Sequence, residues 1–247
     1  MGAKSDIEWT ESTWNPVTGC TKVSAGCENC YAARMARRLK AMGQRNYRNG
    51  FEVTCHPHML DLPAKWKTAQ IVFVNSMSDL FHERVPTEFV RKAFGVMNAI
   101  DRHIYQVLTK RSARLVELDS MLPWSPHIWM GVTVENADYL GRIDDLRCTG
   151  AHTKFVSFEP LIGPIHDVNL DGVDWAIVGG ESGPGARPMR PEWARRMRDI
   201  CIEQDVPFFF KQWGGTNKKK AGRVLDDRTW DEMPAVPADA GPELQPA

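Results

Sequence analysis

Cys20, Cys27 and Cys30 stand in one short stretch, with six residues between the first pair and two between the second. Gly19, Ser24 and Gly26 interleave with them and no apolar run accompanies them, which argues against three cysteines that merely pack. Three thiolates converging from one loop can ligate three irons of a [4Fe–4S] cluster and leave the fourth iron open for a substrate or cofactor. Glycines suit such a loop, because it must wrap closely and turn backbone N–H groups toward sulfide. A structural zinc site is the competing reading. It needs four ligands, and Cys55, His56 or His58 could supply the fourth.

A loop of this kind needs elements to hold it and to face it. Short apolar runs at Phe51–Cys55, Ile71–Val74, Ile104–Leu108, Ile128–Val132, Lys154–Phe158, Trp175–Val178 and Pro207–Phe210 read as strands, with a shorter one near Trp14–Val17 before the cysteines. Most are nearly continuous in apolarity, as parallel strands covered on both faces are. Amphipathic segments alternate with them. Phe89, Val90, Ala93, Phe94, Met97 and Ile100 follow helical spacing behind a candidate N-cap at Thr87. Ala137, Leu140 and Ile143 do so behind Asn136, and Pro191 opens a helix with Trp193, Ala194, Met197, Ile200 and Cys201 inward. Tyr31, Met35 and Met42 mark a helix directly after the cysteines. About eight βα units predict an α/β fold, a TIM-like (β/α) barrel, full or irregular, with the cysteine loop after its first strand. An open doubly wound sheet is the alternative. Residues 1–232 read as one domain and 233–247 as a Pro- and Ala-rich mobile tail.

In such a barrel the residues just past each strand meet at one mouth. Those positions hold Asn75 and Ser76, Lys110, Glu135, Glu159, Glu181 and Lys211. Lys110, Glu135 and Lys211 are the catalytic candidates. Lys+Arg and Asp+Glu balance at 31 each, so overall charge does not announce a nucleic-acid binder. No early stretch resembles a signal peptide and no apolar run of membrane-spanning length occurs, so a cytoplasmic protein without membrane contact is expected. In that reducing compartment six cysteines are not a disulfide framework.

Several motifs carry a resemblance. Trp14-Asn15-Pro16, the cysteines followed by Tyr31-Ala32, Asn75 through His82, Leu108-Thr109-Lys110-Arg111, Ser157 through Leu161, Gly179-Gly180-Glu181-Ser182-Gly183 and Phe210 through Gly214 resemble a phage-type three-cysteine-motif family of unknown function. The three-cysteine loop followed by βα repeats is similar to the radical S-adenosylmethionine (SAM) superfamily. Three features depart from the common pattern of that superfamily: the first spacing is six residues rather than three, Asn29 stands where an aromatic often precedes the last cysteine, with Tyr31 following it instead, and Gly179-Gly180-Glu181 comes late in the chain.

The resemblance implies a [4Fe–4S] cluster on Cys20, Cys27 and Cys30, an external electron donor, and SAM cleaved to a 5′-deoxyadenosyl radical that abstracts hydrogen. Asn75, Ser76, Glu159, Gly179, Gly180 and Glu181 would then meet SAM: carboxylates on its amino group or ribose, neutral groups by hydrogen bonds. Lys110, Arg111 or Lys211 would meet its carboxylate or a substrate phosphate. The phage-type resemblance points to a nucleic-acid or nucleotide substrate in modification or repair. The alternative is a non-redox barrel, stabilised by zinc or iron–sulfur, that binds nucleotide or nucleic acid.

Lesser signals remain. The Gly179–Gly185 stretch is either a phosphate cradle or a tight turn. Arg34, Arg37, Arg38, Lys40, Arg45 and Arg48 form either a solvated face or a basic rim for nucleic-acid phosphate. Among the tryptophans, Trp9, Trp14, Trp66, Trp124, Trp129 and Trp213 could include a base-stacking surface. His82 could move protons, Cys55 could donate hydrogen, and Cys148 and Cys201 read as packing residues.

Overall fold

The nearly continuous apolar runs become the strands of one parallel sheet. The structure, a computed structural model, describes residues 5–235. In chain order the elements are β1 (Ser12–Trp14), β2 (Val17–Thr18), α1 (Tyr31–Ala41), β3 (Thr54–Cys55), β4 (Ile71–Val74), α2 (Thr87–Ala99), β5 (Ile104–Thr109), α3 (Ser112–Leu118), β6 (Ile128–Thr133), α4 (Gly141–Arg147), β7 (Thr153–Phe158), β8 (Trp175–Gly179), α5 (Pro191–Glu203), β9 (Phe208–Gln212) and α6 (Lys218–Ala221). Seven strands pair in the order β1-β4-β5-β6-β7-β8-β9, every pair parallel. Among the described residues β1 and β9 do not pair, so the sheet is a curled half-barrel rather than a closed eight-stranded barrel.

The missing strand has a physical reason. Phe51-Glu52-Val53-Thr54-Cys55 alternates apolar with polar, and none of the five is fully buried. Such a run suits one covered face, not two. It yields only β3, which pairs antiparallel with β2 beside the main sheet.

Side chains alternate across each strand. Val72, Val74, Val107, Met130, Val132, Val156, Phe158 and Val178 pack outward against the helices, which answer with Phe94, Met97, Leu115, Leu146, Met197 and Ile200. The concave side holds a second core of Trp9, Phe73, Trp129, Phe155, Trp175 and Phe209 with three isoleucines. Trp9 lies 4.6 Å from Phe73 and 6.1 Å from Trp175, ring centre to ring centre, and plugs that end. Gly131 permits this packing, since a Cβ there would sit 2.4 Å from the Phe155 ring.

The helices keep most of their expected ends. Pro191 is at the first turn of α5, and Asn136 Oδ1 accepts from Asp138 N at 3.1 Å, capping the single turn at Ala137–Tyr139 that leads into α4. The N-cap of α2 is Pro86, with Thr87 the first helical residue. On α1 the buried residues are Ala32 and Ala36, one turn apart, while Tyr31, Met35 and Met42 are exposed. Small side chains let α1 lie close to Met77. Among the described residues no helix is long and apolar enough to cross a membrane. The expected tail falls mostly on 236–247, outside the described residues.

Candidate active site

Above the aromatic plug, the concave face turns polar at the C-terminal strand ends. Following alternate positions upward, Phe73 leads to Asn75, Phe155 to Ser157 and Glu159, and Phe209 to Lys211. These groups surround a cavity of about 480 Å³ whose floor is Trp9, Phe73 and Leu108. Cys20, Cys27 and Cys30 line it together with Asn75, Ser76, Lys110, Glu159, Gly180, Glu181 and Lys211. Two expected residues, Glu135 and Gly179, do not line it.

All three cysteines are unpaired and half-buried. Among the described residues no three His, Cys, Asp or Glu side chains are grouped as ligands of a single ion. The residues offered as a fourth zinc ligand have other partners or lie elsewhere. His56 Nε2 bonds Thr18 Oγ1 at 2.8 Å, His58 Nε2 bonds Asn46 Oδ1 at 3.0 Å, and Cys55 lies outside the cavity. Thiols distributed along one wall suit a polynuclear group, in which each thiolate takes a different iron.

Each cysteine is held by a different part of the sheet. Beside Cys20, the buried Arg111 guanidinium donates to the sulfur at 3.4 Å and to Asp79 Oδ2 at 3.2 Å. It also donates to Glu83 at 2.9 Å and to the Thr21 carbonyl and hydroxyl at 3.1 and 2.9 Å. Asp79 is fixed in turn by Thr109 Oγ1 at 2.7 Å and Lys110 N at 3.1 Å, so the ends of β4 and β5 position this corner. Burial and the Asp79 charge push the Cys20 thiol up to about 11, against the opposing pull of Arg111.

Beside Cys27, Ser24 Oγ lies 3.6 Å from the sulfur and donates to Glu135 Oε1 at 2.5 Å. Arg142 holds the other Glu135 oxygen at 2.8 Å. Burial acts to raise the Cys27 thiol, but hydrogen bonding at Val23 and Ser24 and the charge of Lys110 outweigh it, and the net direction is down. Gly26 is obligatory here: a Cβ would stand 2.5 Å from Glu135 Cγ. Glu135 thus lies behind the loop as a positioning residue, not in the cavity as a catalytic one. Lys110 Nζ, 3.8 Å from Glu135, remains at the cavity edge.

Beside Cys30, Asn29 Nδ2 donates to Glu181 Oε2 at 3.0 Å and to Gly185 O at 2.9 Å. Arg187 reaches both Glu181 oxygens and also Ala25 O at 2.9 Å. Burial works against the Glu181 charge, yet Arg187 and Asn29 hold its carboxyl below the ordinary range. From α1, Arg34 donates to Ser182 O at 2.9 Å and Pro184 O at 2.6 Å. The Gly180 and Gly183 N–H groups donate to Gln212 O and Gly215 O at 3.0 and 2.9 Å, and the Ser182, Pro184 and Gly185 carbonyls accept from Arg34 and Asn29, so the stretch straps β9, α1 and the cysteine loop together. Gly179 backs the Glu159 and Lys211 side chains, 3.3 and 3.4 Å from where its Cβ would be.

On the opposite wall Lys211 Nζ binds both Glu159 oxygens, at 2.6 and 2.8 Å. Among the described residues that line the cavity, three buried atoms lack partners: Asn75 Nδ2, Ser157 Oγ and, in the floor, Trp9 Nε1. Asn75 has φ +61°, its backbone N–H bonds Trp14 O and its Oδ1 accepts from Val17 N. An unsatisfied buried polar group costs about 1–3 kcal/mol. Orphans and thiols lining one cavity fit a polar cofactor lying against a cluster.

The lesser signals resolve as follows. His82 is fully buried behind Thr21, 2.8 Å from its hydroxyl, and is not part of the cavity. Cys201 is buried but Cys148 is exposed at the end of α4. Trp9, Trp14 and Trp129 are core residues, and Trp66, Trp124 and Trp213 are half-buried. From sequence Arg187 reads as support for an anionic group beside the Gly179–Gly185 stretch, and it pairs instead with Glu181, while Arg142 and Asn29 carry no assignment. Asp79 and Arg111 do stand at strand ends; Arg142 and Asn29 are found only through contacts.

The fold is that of a curled parallel α/β sheet shared with solved structures of spore photoproduct lyase. A cysteine-to-alanine variant complexed with dinucleoside spore photoproduct superposes with a TM-score of 0.51 at 13% identity, covering 82% of this chain and 64% of that one. A tyrosine-to-phenylalanine variant gives 0.50 at 12% identity, with the same coverage of 82% and 64%. This chain spans 64% of the length of those proteins. No curated protein matches the sequence. The chain belongs to the DUF5131 family of proteins of unknown function, whose profile matches residues 4–234.

Proposed function

We propose that the protein is a radical SAM-type iron–sulfur enzyme acting on nucleic acid or a nucleotide. The observation that carries this reading is the cavity itself, whose lining brings together three free cysteines and the unpartnered Asn75 Nδ2 and Ser157 Oγ. When bound and reduced by an external donor, the cluster supplies the electron that cleaves SAM to methionine and a 5′-deoxyadenosyl radical capable of hydrogen abstraction.

This chain's residues supply the rest. Arg111, Ser24 and Asn29 fix the loop so that Cys20, Cys27 and Cys30 keep their places. Asn75 Nδ2 and Ser157 Oγ would hold neutral hydrogen-bonding groups of a bound cofactor, which would remove the desolvation penalty both now carry. Lys211 and Glu159 present a cation and an anion to the SAM carboxylate and amino groups. Trp9, Phe73 and Leu108 exclude water beneath. The shared fold with spore photoproduct lyase, solved with a dinucleoside, supports a nucleic-acid-type substrate.

Anaerobic reconstitution with iron and sulfide, then dithionite and SAM, tests the reading. About four irons per chain, as a cubane requires, together with 5′-deoxyadenosine are expected. Tight zinc with no SAM cleavage would overturn it.

A further inference from the structure

We propose that a second cavity, next to the cysteine loop, is a phosphate-binding site that grips the substrate's backbone. It measures about 260 Å³, and its walls include Arg45, Arg48, Asn46, Asn49, His56 and His58. No carboxylate lines it; Glu52, the nearest acidic residue in sequence, is exposed and outside it. Arg45 and Arg48 are exposed and neither has an ion-pair partner among the described residues, whereas Arg111, Arg142, Arg187 and Arg198 are all paired. Two unneutralised guanidiniums at one rim repel each other unless an anion lies between them, and their forks match phosphate oxygens.

The two histidines spend their Nε2 hydrogens within the protein, so the donors left for an anion are the guanidiniums and the Asn46 amide. Thr18 Oγ1 donates to Asn46 O at 3.2 Å, so it accepts from His56 Nε2, which carries the hydrogen. Asn46 Oδ1 accepts from His58 Nε2, leaving the Asn46 Nδ2 hydrogens uncommitted. Arg48 Nε donates to Arg45 O at 3.4 Å, which keeps both arginines on one side of the opening. At roughly 30 Å³ per water, the space is far larger than a single monatomic ion needs.

The position gives the site its use. His56, in the cavity's wall, bonds Thr18 Oγ1 at 2.8 Å, and Thr18 is two residues from Cys20, on the order of 7 Å of chain at most. Cys20 N bonds Phe51 O at 3.2 Å, so the segment from Arg45 to Thr54 is tied to the cysteine loop. A strand rises about 3.4 Å per nucleotide, so a phosphodiester held here lies within a few nucleotides of a base in the first cavity. Arg37, Arg38 and Lys40, exposed on α1 and without ion pairs among the described residues, extend the cationic surface. The inference deepens the proposed function and rests on it only for the identity of the polymer.

The test uses the purified chain without iron, so it reads independently of cluster assembly. Fluorescence anisotropy with a labelled single-stranded DNA of about ten nucleotides forms one arm. Calorimetry with inorganic phosphate forms the other. Replacing both Arg45→Ala and Arg48→Ala should weaken oligonucleotide binding about tenfold or more and lower the salt slope by about 1–2. Asn49→Asp, which places a carboxylate at the rim, should weaken it too. The pair Arg91→Ala and Arg196→Ala removes the same charge elsewhere and should leave affinity within about twofold. Loss confined to the phosphate arm would keep the pocket and assign it to a small phosphate ligand. Unchanged affinity and slope for the Arg45 and Arg48 variant in both arms would overturn the proposal. Failure to cleave SAM with this binding intact would sink the enzyme reading and leave the pocket standing.

Discussion

The two ends of the concave face are built from the same strands by opposite rules. At the lower end Trp9, Phe73, Trp129, Phe155, Trp175 and Phe209 meet ring to ring and leave no space. Two residues up each strand, Asn75, Ser157 and Lys211 occupy the same face around a cavity of about 480 Å³. One end gains stability from apolar burial, roughly 25 cal/mol per Å². The other holds an ion pair and hydrogen-bonding side chains that face the cavity. Stability concentrated at one end lets the other hold groups that folding alone does not favour.

Experiments can break that division. The largest effect is expected from Cys20→Ala, Cys27→Ala or Cys30→Ala, each abolishing iron uptake in reconstitution, while Cys148→Ala leaves it intact. Equal iron content in all four would remove the open end's assigned role. Next, Trp129→Ala at the closed end should destabilise the fold by about 3–5 kcal/mol in urea melts. Below the melting range its iron stoichiometry should stay that of wild type. At the seam, Arg111→Ala leaves Asp79 buried without its cation and should cost about 3 kcal/mol. It should also lower iron content, with Arg111→Lys intermediate.

Ser157→Ala should act with opposite signs in two assays. Deleting an orphaned hydroxyl should leave the ligand-free fold neutral or about 1 kcal/mol more stable, while SAM binding weakens severalfold. A destabilised fold with unchanged SAM affinity would assign Ser157 to the packed end. The smallest effect is the pH dependence of the strap. Glu181 has a carboxyl pKa below its unfolded value of about 4.3, so its contribution is present above that pH. It is lost as pH falls through the lower folded value. Hydrogen exchange at residues 181–187 should therefore accelerate below about pH 4.3, and Glu181→Gln should flatten the response.

The strands were legible because burial on two faces leaves a continuous apolar signature, as at Ile71–Val74 and Trp175–Val178. Phe51–Cys55 misled because strand propensity alone does not say how many faces are covered; its alternation with Glu52 and Thr54 did. The cysteines were legible from spacing. Their holders were not, because Ser24 and Glu135, or Asn29 and Glu181, are joined only by the folding of everything between them. The strand-end rule located Glu135 at the correct end of the sheet. It could not tell that the cysteine loop would lie between its carboxylate and the cavity. The second pocket was present in the sequence only as a list of cations, since a solvated face and a ligand site have the same composition.

The sequential strand order bears on how the protein is made. At about 5–20 residues per second, N-terminal first, the cysteine loop leaves the ribosome before nearly all of the sheet that braces it. Asp79 and Arg111 follow, then Glu135 and Arg142, and Glu181 with Arg187 come last, on the order of ten seconds or more after Cys20. The three thiols are therefore synthesised well before most of the groups that hold them, and the strap that bears on Asn29 is added late.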